Sequence, residues 1–394
     1  MLSQILAISA LNLRSIPERW GPSLVIVIGL AGVVAVFTAL LAMAQGFTAT
    51  LQDAGSDQNA IVLRGGSGAE LNSGFGGDTA DLIKLGPGIR KGSDGKPLAS
   101  GELMVITELF KKGETRNGSN VTMRGVEPAS FELRPQVQIV EGRRFESGLR
   151  EVIVGAGVAR QFEGVGVGET LRMRGSDWKV VGVFESGDVN ESEIWVDAGS
   201  AQSAFNRGNG FSAVRVGLTS PEALETLSAA LADDPRLTVE VLNERTYYSN
   251  QTRGVRGQIM VLAVFVTAIM AIGAIFAALN TMYSAVATRT REIATLRAIG
   301  FGSLPVLVSV MIEAMLLSLL GGAIGAGIAW LLFDNLSVST LNQGSFTQVV
   351  FAFQVSIGLV LSGLVIAVLI GFVGGLLPAI RAARLPVTTA LRAG

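Results

Sequence analysis

Four stretches of the chain are almost continuously apolar: residues 23–44, 259–283, 304–333 and 351–380. Each reaches the roughly 20 residues that a helix needs to cross a hydrocarbon core, and none carries Lys or Arg in its interior. The pattern predicts four membrane-spanning helices. Residues 45–258 differ: short β-branched runs alternate with polar and Gly-rich breaks. Runs at 61–63, 103–107, 121–125, 151–154, 179–184 and 193–196 read as strands. Ser220-Pro221-Glu222 reads as a helix start, because Ser can cap free N–H groups and Pro suits the first turn. Leu224, Leu227 and Leu231 then give one apolar face before Asp233, between strand-like segments at 213–218 and 237–242. The expected fold is an α-helical membrane protein with four transmembrane helices, plus a large mixed α/β domain inserted between the first and second.

Charge orients the spans. Arg14 and Arg19 precede the first, Arg289, Arg291 and Arg297 lie between the second and third, and Arg381, Arg384 and Arg392 follow the fourth. The connection at 334–350 has neither Lys nor Arg. By the positive-inside rule both termini and the second–third connection are cytoplasmic, and the insert is extracytoplasmic; its own charges do not count, since long loops translocate regardless. In residues 2–14, Leu2, Ile5, Leu6 and Leu13 share a helical face while Ile8 and Leu11 fall elsewhere, which leaves two readings: an interfacial helix on the cytoplasmic leaflet, or an extension of the first spanning helix. Ala42-Met43-Ala44 resembles a signal-peptidase site. The apolar run before it exceeds the roughly 7–15 residues of a signal peptide, so it is read as an anchor.

Within the insert, residues 65–77 are rich in Gly and Ser and read as a mobile loop. Gly155-Ala156-Gly157 lacks the third glycine of a dinucleotide fingerprint and reads as a turn. Gly95-Lys96-Pro97 has Pro where a phosphate-binding loop needs Ser or Thr. Residues 47–52 continue the first spanning helix and 244–258 lead into the second, so the two are expected to form a stalk.

Composition narrows the chemistry. Apolar residues make up 49% and charged residues 16%, against about 25% charged in a soluble domain. A net charge of −1 without a basic run argues against a nucleic-acid partner. Cys and His are both absent, which excludes a thiolate nucleophile, a Ser–His–Asp triad, the usual zinc sites and disulfides. No catalytic residue, metal site or cofactor site is expected on this chain.

Small residues recur four apart at Gly321 and Gly325, at the offset pair Ala323 and Gly327, and at Gly371 and Gly375. Such spacing lets helix backbones approach closely, within the chain or between protomers. Pro378 is expected to kink or end the fourth span. Glu313 lies well inside the third apolar segment. An unpaired charge at mid-bilayer costs roughly 2.5–3.5 kcal/mol, so this intramembrane carboxylate is expected to be paired or protonated.

The second–third connection reads Arg289-Thr290-Arg291-Glu292-Ile293-Ala294-Thr295-Leu296-Arg297-Ala298-Ile299-Gly300. Ile293, Leu296 and Ile299 recur at helical spacing with charges between them, which predicts a short amphipathic helix ended by Gly300 and Gly302. This stretch resembles the R-E-I-x-x-L-R-A-[LI]-G motif of the FtsX-like permease family, which includes MacB. Glu313-Ala314-Met315-Leu316-Leu317-Ser318-Leu319-Leu320-Gly321-Gly322 is similar to the family's next span. The ending Gly374-Gly375-Leu376-Leu377-Pro378-Ala379-Ile380-Arg381, and Glu151-Val152-Ile153-Val154-Gly155 followed by Val180-Val181-Gly182-Val183-Phe184, also resemble the family.

The resemblance covers essentially the whole chain and implies a domain order. Residues 1–22 form a cytoplasmic or interfacial helix, 23–44 the first span, and 45–258 a MacB-like periplasmic core domain with its stalk. Residues 259–283 form the second span, 284–303 the coupling-helix loop, 304–333 the third span, 334–350 a short outer loop, 351–380 the fourth span and 381–394 a cytoplasmic tail. It also implies an inner-membrane permease subunit of a bacterial ABC transporter, paired with a second copy or a related chain. Its coupling helix, with Arg289, Arg291, Glu292, Ile293, Leu296, Arg297, Ile299 and Gly300, would dock on a cytoplasmic ATPase. No G-x-x-x-x-G-K-[ST] occurs here, and the only Leu-Ser-Gly, at 361–363, is inside a span. The ATPase, with its ATP and Mg, is therefore expected on a separate polypeptide. A periplasmic adaptor and an outer-membrane channel are further implied partners. The implied work is mechanotransmission for export of an amphiphilic small molecule, peptide or lipid. FtsX-like signalling to cell-wall hydrolases and lipoprotein release share the topology.

Overall fold

A computed structural model describes residues 4–6, 8–10, 20–114, 116–342 and 347–386. Residues 4–6 and 8–10 are helical; Arg14, Arg19 and Arg392 of the charge argument lie outside the described residues. In chain order the elements are α1 (Trp20–Gln52), β1 (Asn59–Arg64), α2 (Gly77–Lys84), β2 (Ala99–Phe110), β3 (Gly118–Val126), α3 (Ser130–Leu133), β4 (Gln138–Gly142), β5 (Glu151–Gly155), α4 (Ala156–Gln161), β6 (Thr170–Met173) and β7 (Ser176–Glu185). They continue with β8 (Glu193–Asp197), α5 (Ala198–Ala204), β9 (Ala213–Gly217), α6 (Ala223–Ala232), β10 (Val239–Asn243), α7 (Glu244–Thr288), α8 (Thr290–Ala298), α9 (Ser303–Phe333), β11 (Ser337–Asn342), β12 (Thr347–Ala352) and α10 (Ile357–Ala383). Two compact units result. One is built from Met1–Gln45, Gln258–Leu336 and Phe353–Gly394, the other from Gly46–Gly257 with Ser337–Ala352.

The second unit is a mixed α/β fold on a ten-stranded sheet of order β10-β1-β9-β2-β3-β8-β5-β7-β4, with β6 on β7. The long strand β2 joins its two halves. Residues Ala99 to Glu102 pair with β9, and Leu103 to Phe110 pair with β3. Strands β5 and β8 are buried along their whole length, which explains their continuous apolar runs. Val152, Val154, Ile194 and Val196 pack in one core with Trp178, while Ile153 and Trp195 pack in another with Phe184. This is the period-2 alternation of a sheet covered on both faces. In the other half, Ile83 of α2 and Leu227 and Leu231 of α6 cover Val62, Val214 and Val216.

Residues 65–77, expected as a mobile loop, are instead pinned. A 3-10 turn at Glu70–Asn72 buries Glu70 to 2% exposure. Composition alone misleads there, because one buried charge anchors an otherwise glycine-rich segment. Residues 334–350, expected as a bare loop, contribute to the β11–β12 hairpin, which belongs to the α/β unit. The start of α6 also differs in detail. The Ser220 carbonyl, rather than its hydroxyl, accepts from Ala223 N, and no side chain caps the helix.

Among the described residues, the first unit contains four helices long and apolar enough to cross a membrane, located in α1, α7, α9 and α10. Helix α1 runs unbroken past Ala42-Met43-Ala44, and α10 continues through Pro378 to Ala383. Leu30, Ala278, Met282, Val310, Ala314, Ile370 and Ala379 form the shared core. The glycines fix how closely the helices approach. A Cβ on Gly321 would lie 2.7 Å from the Val27 carbonyl, and one on Gly325 would collide with that of Ala31. Gly375 brings α10 against Ala314, and Gly371 faces Ser318. These four glycines therefore pack within the chain, whereas Ala323 is exposed and Gly327 meets nothing within 4 Å. Val261, Phe265, Leu331 and Ile357 remain exposed on the outer faces, as lipid-facing side chains do.

Candidate functional site

Two constellations stand out, one in each unit. In the helical unit it is α8 and its anchors. Chain direction changes at Arg289, which leaves helical geometry at φ −105°, ψ 11° between α7 and α8. Its guanidinium meets Glu292 at 3.0 Å and Glu313 at 3.5 Å. The Arg289 and Glu313 side chains are only 12% and 6% exposed. Glu313 is thus paired, as its place in an apolar segment requires.

Ile293 is buried and Leu296 packs on the same core, while Arg291, Glu292 and Thr295 face outward. At the far end Arg297 Nη1 donates to the Leu385 carbonyl at 2.5 Å, beyond α10. Gly300 takes φ +105°, and Phe301 N donates back to Leu296 O at 3.1 Å. This six-to-one bond across a left-handed glycine is the Schellman ending. Ile299, grouped by spacing with Ile293 and Leu296, is 68% exposed. It lies just past the helix end, so helical periodicity no longer governs where its side chain points.

In the α/β unit the constellation is a buried ion network at the joint between the two half-sheets. Arg124 on β3 reaches Glu70 at 2.7 Å, Glu102 at 2.9 Å and Glu193 at 2.7 Å. Arg134 grips both oxygens of Glu102, at 2.8 and 2.9 Å. Arg215 on β9 meets Glu102 at 3.0 Å, Glu70 at 3.1 Å, and Glu244 in the first turn of α7. Hydroxyls and N–H groups complete the shell. Ser130 donates to Glu102, Trp195 Nε1 to Glu193, Asn59 Nδ2 to Glu244 and Tyr247 to Glu70.

Buried charges persist only when so paired, because removing each from water costs several kcal/mol. Glu70, Glu102, Glu193 and Glu244 face Arg124, Arg134 and Arg215, which leaves one excess negative charge. Burial pushes the Glu102 carboxyl up, but Arg134, Arg215 and Arg124 overcome it and hold the group well below the usual carboxylate range. Glu70 is lowered in the same way, burial being outweighed by Arg124 and Arg215. Burial raises both Tyr247 and Tyr248, so both stay protonated; Tyr247 donates to Glu70, and the Tyr248 hydroxyl accepts from Arg215. A cavity of about 40 Å³ lies beside Arg124, Glu70, Glu193, Tyr247 and Thr347, enough for a water molecule or two.

The stalk starts from this joint. Gln52 Nε2 donates to Ser249 Oγ at 2.9 Å, which ties the end of α1 to α7. Gly55 passes so close that a Cβ would lie 2.8 Å from Arg245 Cα. Gln251 reaches the Gly68 carbonyl at 3.1 Å. Sequence reading missed the network. Its one signal was charge inside apolar strands, as in Ala213-Val214-Arg215-Val216, which cannot be buried without partners elsewhere. Among the described residues no cluster of acidic side chains suits a metal ion.

The MacB-like periplasmic core domain family matches residues 23–234, more than half the chain, and the FtsX-like permease C-terminal family matches residues 264–387. The chain therefore belongs to the MacB-like, FtsX-like family of ABC transporter permeases. An uncharacterized ABC transporter permease, YvrN of Bacillus subtilis (strain 168), is 25% identical over 412 residues, covering 97% of this chain and 96% of that one. The macrolide export ATP-binding/permease protein MacB of Hahella chejuensis is 28% identical over 57% of this chain, which spans 35% of that relative. The periplasmic region of MacB from Actinobacillus actinomycetemcomitans aligns with a TM-score of 0.38 and 12% identity, over 50% of this chain and 92% of that one.

Proposed function

We propose that this permease subunit converts the ATP-driven cycle of a separate ATPase into movement of its α/β unit, and thereby exports an amphiphilic small molecule, peptide or lipid. The observation that carries the reading is α8. Its outward face, with Arg291, Glu292 and Thr295, is exposed, while its two ends are tied to α9 and to the segment just past α10 through Arg289–Glu313 and Arg297–Leu385. A helix held at both ends moves with whatever displaces it. In this reading α8 and both termini are cytoplasmic, the α/β unit lies outside the cytoplasm, and ATP and Mg bind the partner. The family match to a MacB-like periplasmic core domain, and a relative named for macrolide export, support export as the work done; a second copy of the chain and a periplasmic adaptor are part of the same proposal.

The test is a gentle-detergent pull-down of the tagged full chain from its native membranes, beside an R291E variant. Arg291 is exposed and lies outside the Arg289–Glu292 and Arg289–Glu313 pairs, so reversing its charge leaves the anchors of α8 intact. An ATPase that copurifies with the parent chain and is lost from the variant supports the reading. Unchanged copurification removes α8 as the docking element. Recovery of a wall hydrolase instead of an adaptor moves the function to signalling.

A further inference from the structure

The connection between α9 and α10 forms β11 and β12, and β12 lies against β3 and the 3-10 turn Val189–Ser192. The Thr122 and Thr347 hydroxyls meet at 3.0 Å in a buried contact. Val350 N donates to Ser192 Oγ at 2.9 Å, also buried. Val349 and Phe351 are each 2% exposed, and the Phe351 ring stands edge-on to Phe47.

The seat is shaped by the glycine pair that read as turn chemistry. A Cβ on Gly155 would collide with the Glu191 carbonyl. One on Gly157 would lie 2.8 Å from that oxygen and 3.3 Å from Val350 Cβ. With no side chain at either position, the turn Val189–Ser192 settles onto the start of α4 and presents Ser192 to β12.

We propose that β11–β12 is a permanent strap that fastens the α/β unit to α9 and α10, so that this unit is attached to all four spanning helices rather than to α1 and α7 alone. Permanence follows from the contact. Undocking would expose Val349, Val350 and Phe351 to water and break the Thr122–Thr347 and Val350–Ser192 hydrogen bonds. The strap seats on β3, the strand that carries Arg124 at the centre of the ion network. The strap is a property of the α/β unit and stands whether or not α8 docks an ATPase.

The chain has no cysteine, so an engineered pair reports without background. In full-length T122C/T347C the thiols would take the place of hydroxyls 3.0 Å apart, within reach of a disulfide. The pair is oxidised mildly in native membranes and read as a gel-mobility shift. The expected yield is about tenfold above that of T347C paired with D94C on an exposed turn, because a fixed contact gives a high effective concentration. Adding V350D should return the yield to the control level while the emission of buried Trp178 and Trp195 stays unchanged, which shows that the domain still folds. A T122C/T347C yield no higher than the control overturns the strap. So does a yield that V350D leaves untouched.

Discussion

Glu244, the first residue of α7, is bound by Arg215 from β9, with each side chain only 1% exposed. The longest of the described helices therefore begins on a buried charge that belongs to the sheet, which fixes its first turn to the α/β unit. Four carboxylates and three guanidiniums share this joint with β2, β3, β8, β9 and α7. Their layout suits a rigid attachment between domain and stalk better than a hinge.

Removing Glu244 should be costly. In Glu244→Ala, Arg215 keeps Glu70 and Glu102 but loses its partner on α7, and the expected destabilisation is about 3–5 kcal/mol. Denaturant titration of the full chain in detergent, followed by Trp178 and Trp195 emission, measures it. A loss below about 1 kcal/mol, the range of an exposed pair, would contradict the joint.

Acid should loosen the same joint. Glu70 and Glu102 are held below their ordinary value of 4.5 in the folded state. Their contribution is complete above that value and is lost as pH falls through the lowered folded values. Asp188 acts in the opposite sense. Burial raises its carboxyl, so the folded form takes up a proton first and gains relative stability as pH drops. With Glu151, Glu222 and Asp234 also lowered by their hydrogen bonds, the lowered carboxyls outnumber the one raised group and predict net loss below about pH 4.5. Stability that stays flat or rises between pH 5 and pH 3, on the scale of ordinary carboxylate titration, would refute the assignment.

The helix crossings allow a paired comparison. Gly321→Ala would place a Cβ 2.7 Å from the Val27 carbonyl, whereas Gly327→Ala meets open space. The first should lower the melting temperature in detergent and broaden the size-exclusion peak; the second should do neither. Overpacking of this kind costs typically 1–3 kcal/mol. Equal behaviour of the two variants would mean that α9 does not cross α1 at Gly321.

Arg289 and Glu313 should be coupled. Arg289→Ala removes the cation beside a carboxylate that is 6% exposed, and the yield of folded protein should fall. Glu313→Gln in the same chain removes that buried charge and should restore most of it. A double-mutant cycle on thermal stability should give a coupling of about 0.5–3 kcal/mol. Strict additivity would show that the pair contributes nothing of its own.

Much of the architecture was legible because it rests on local patterns. The four spans follow from apolar runs that only a bilayer can accommodate. Strands such as β5 and β8 follow from β-branched runs, and the end of α8 from Gly300, which alone among its neighbours takes positive φ without strain. What escaped was short or conditional. Strands β4 and β6 are five and four residues long, too short for periodicity to declare. Strands β11 and β12 carry few apolar residues on β11 and become a hairpin through their seat on β3. Glu70 sits in a Gly/Ser-rich stretch whose order comes wholly from distant partners.

By itself, then, the sequence determined which segments are apolar enough to enter a membrane, where α8 stops, and that a mixed α/β domain lies between the first two spans. These are consequences of hydrophobicity and backbone preference within a few residues. Only the tertiary structure decided that Glu102, Arg124, Arg134, Arg215 and Glu244 share one buried site, that Arg289 answers Glu313, and that the α9–α10 connection is part of the α/β unit. Each joins residues far apart in the chain, and a charge can go into a core or a bilayer only where the fold brings its partner to it.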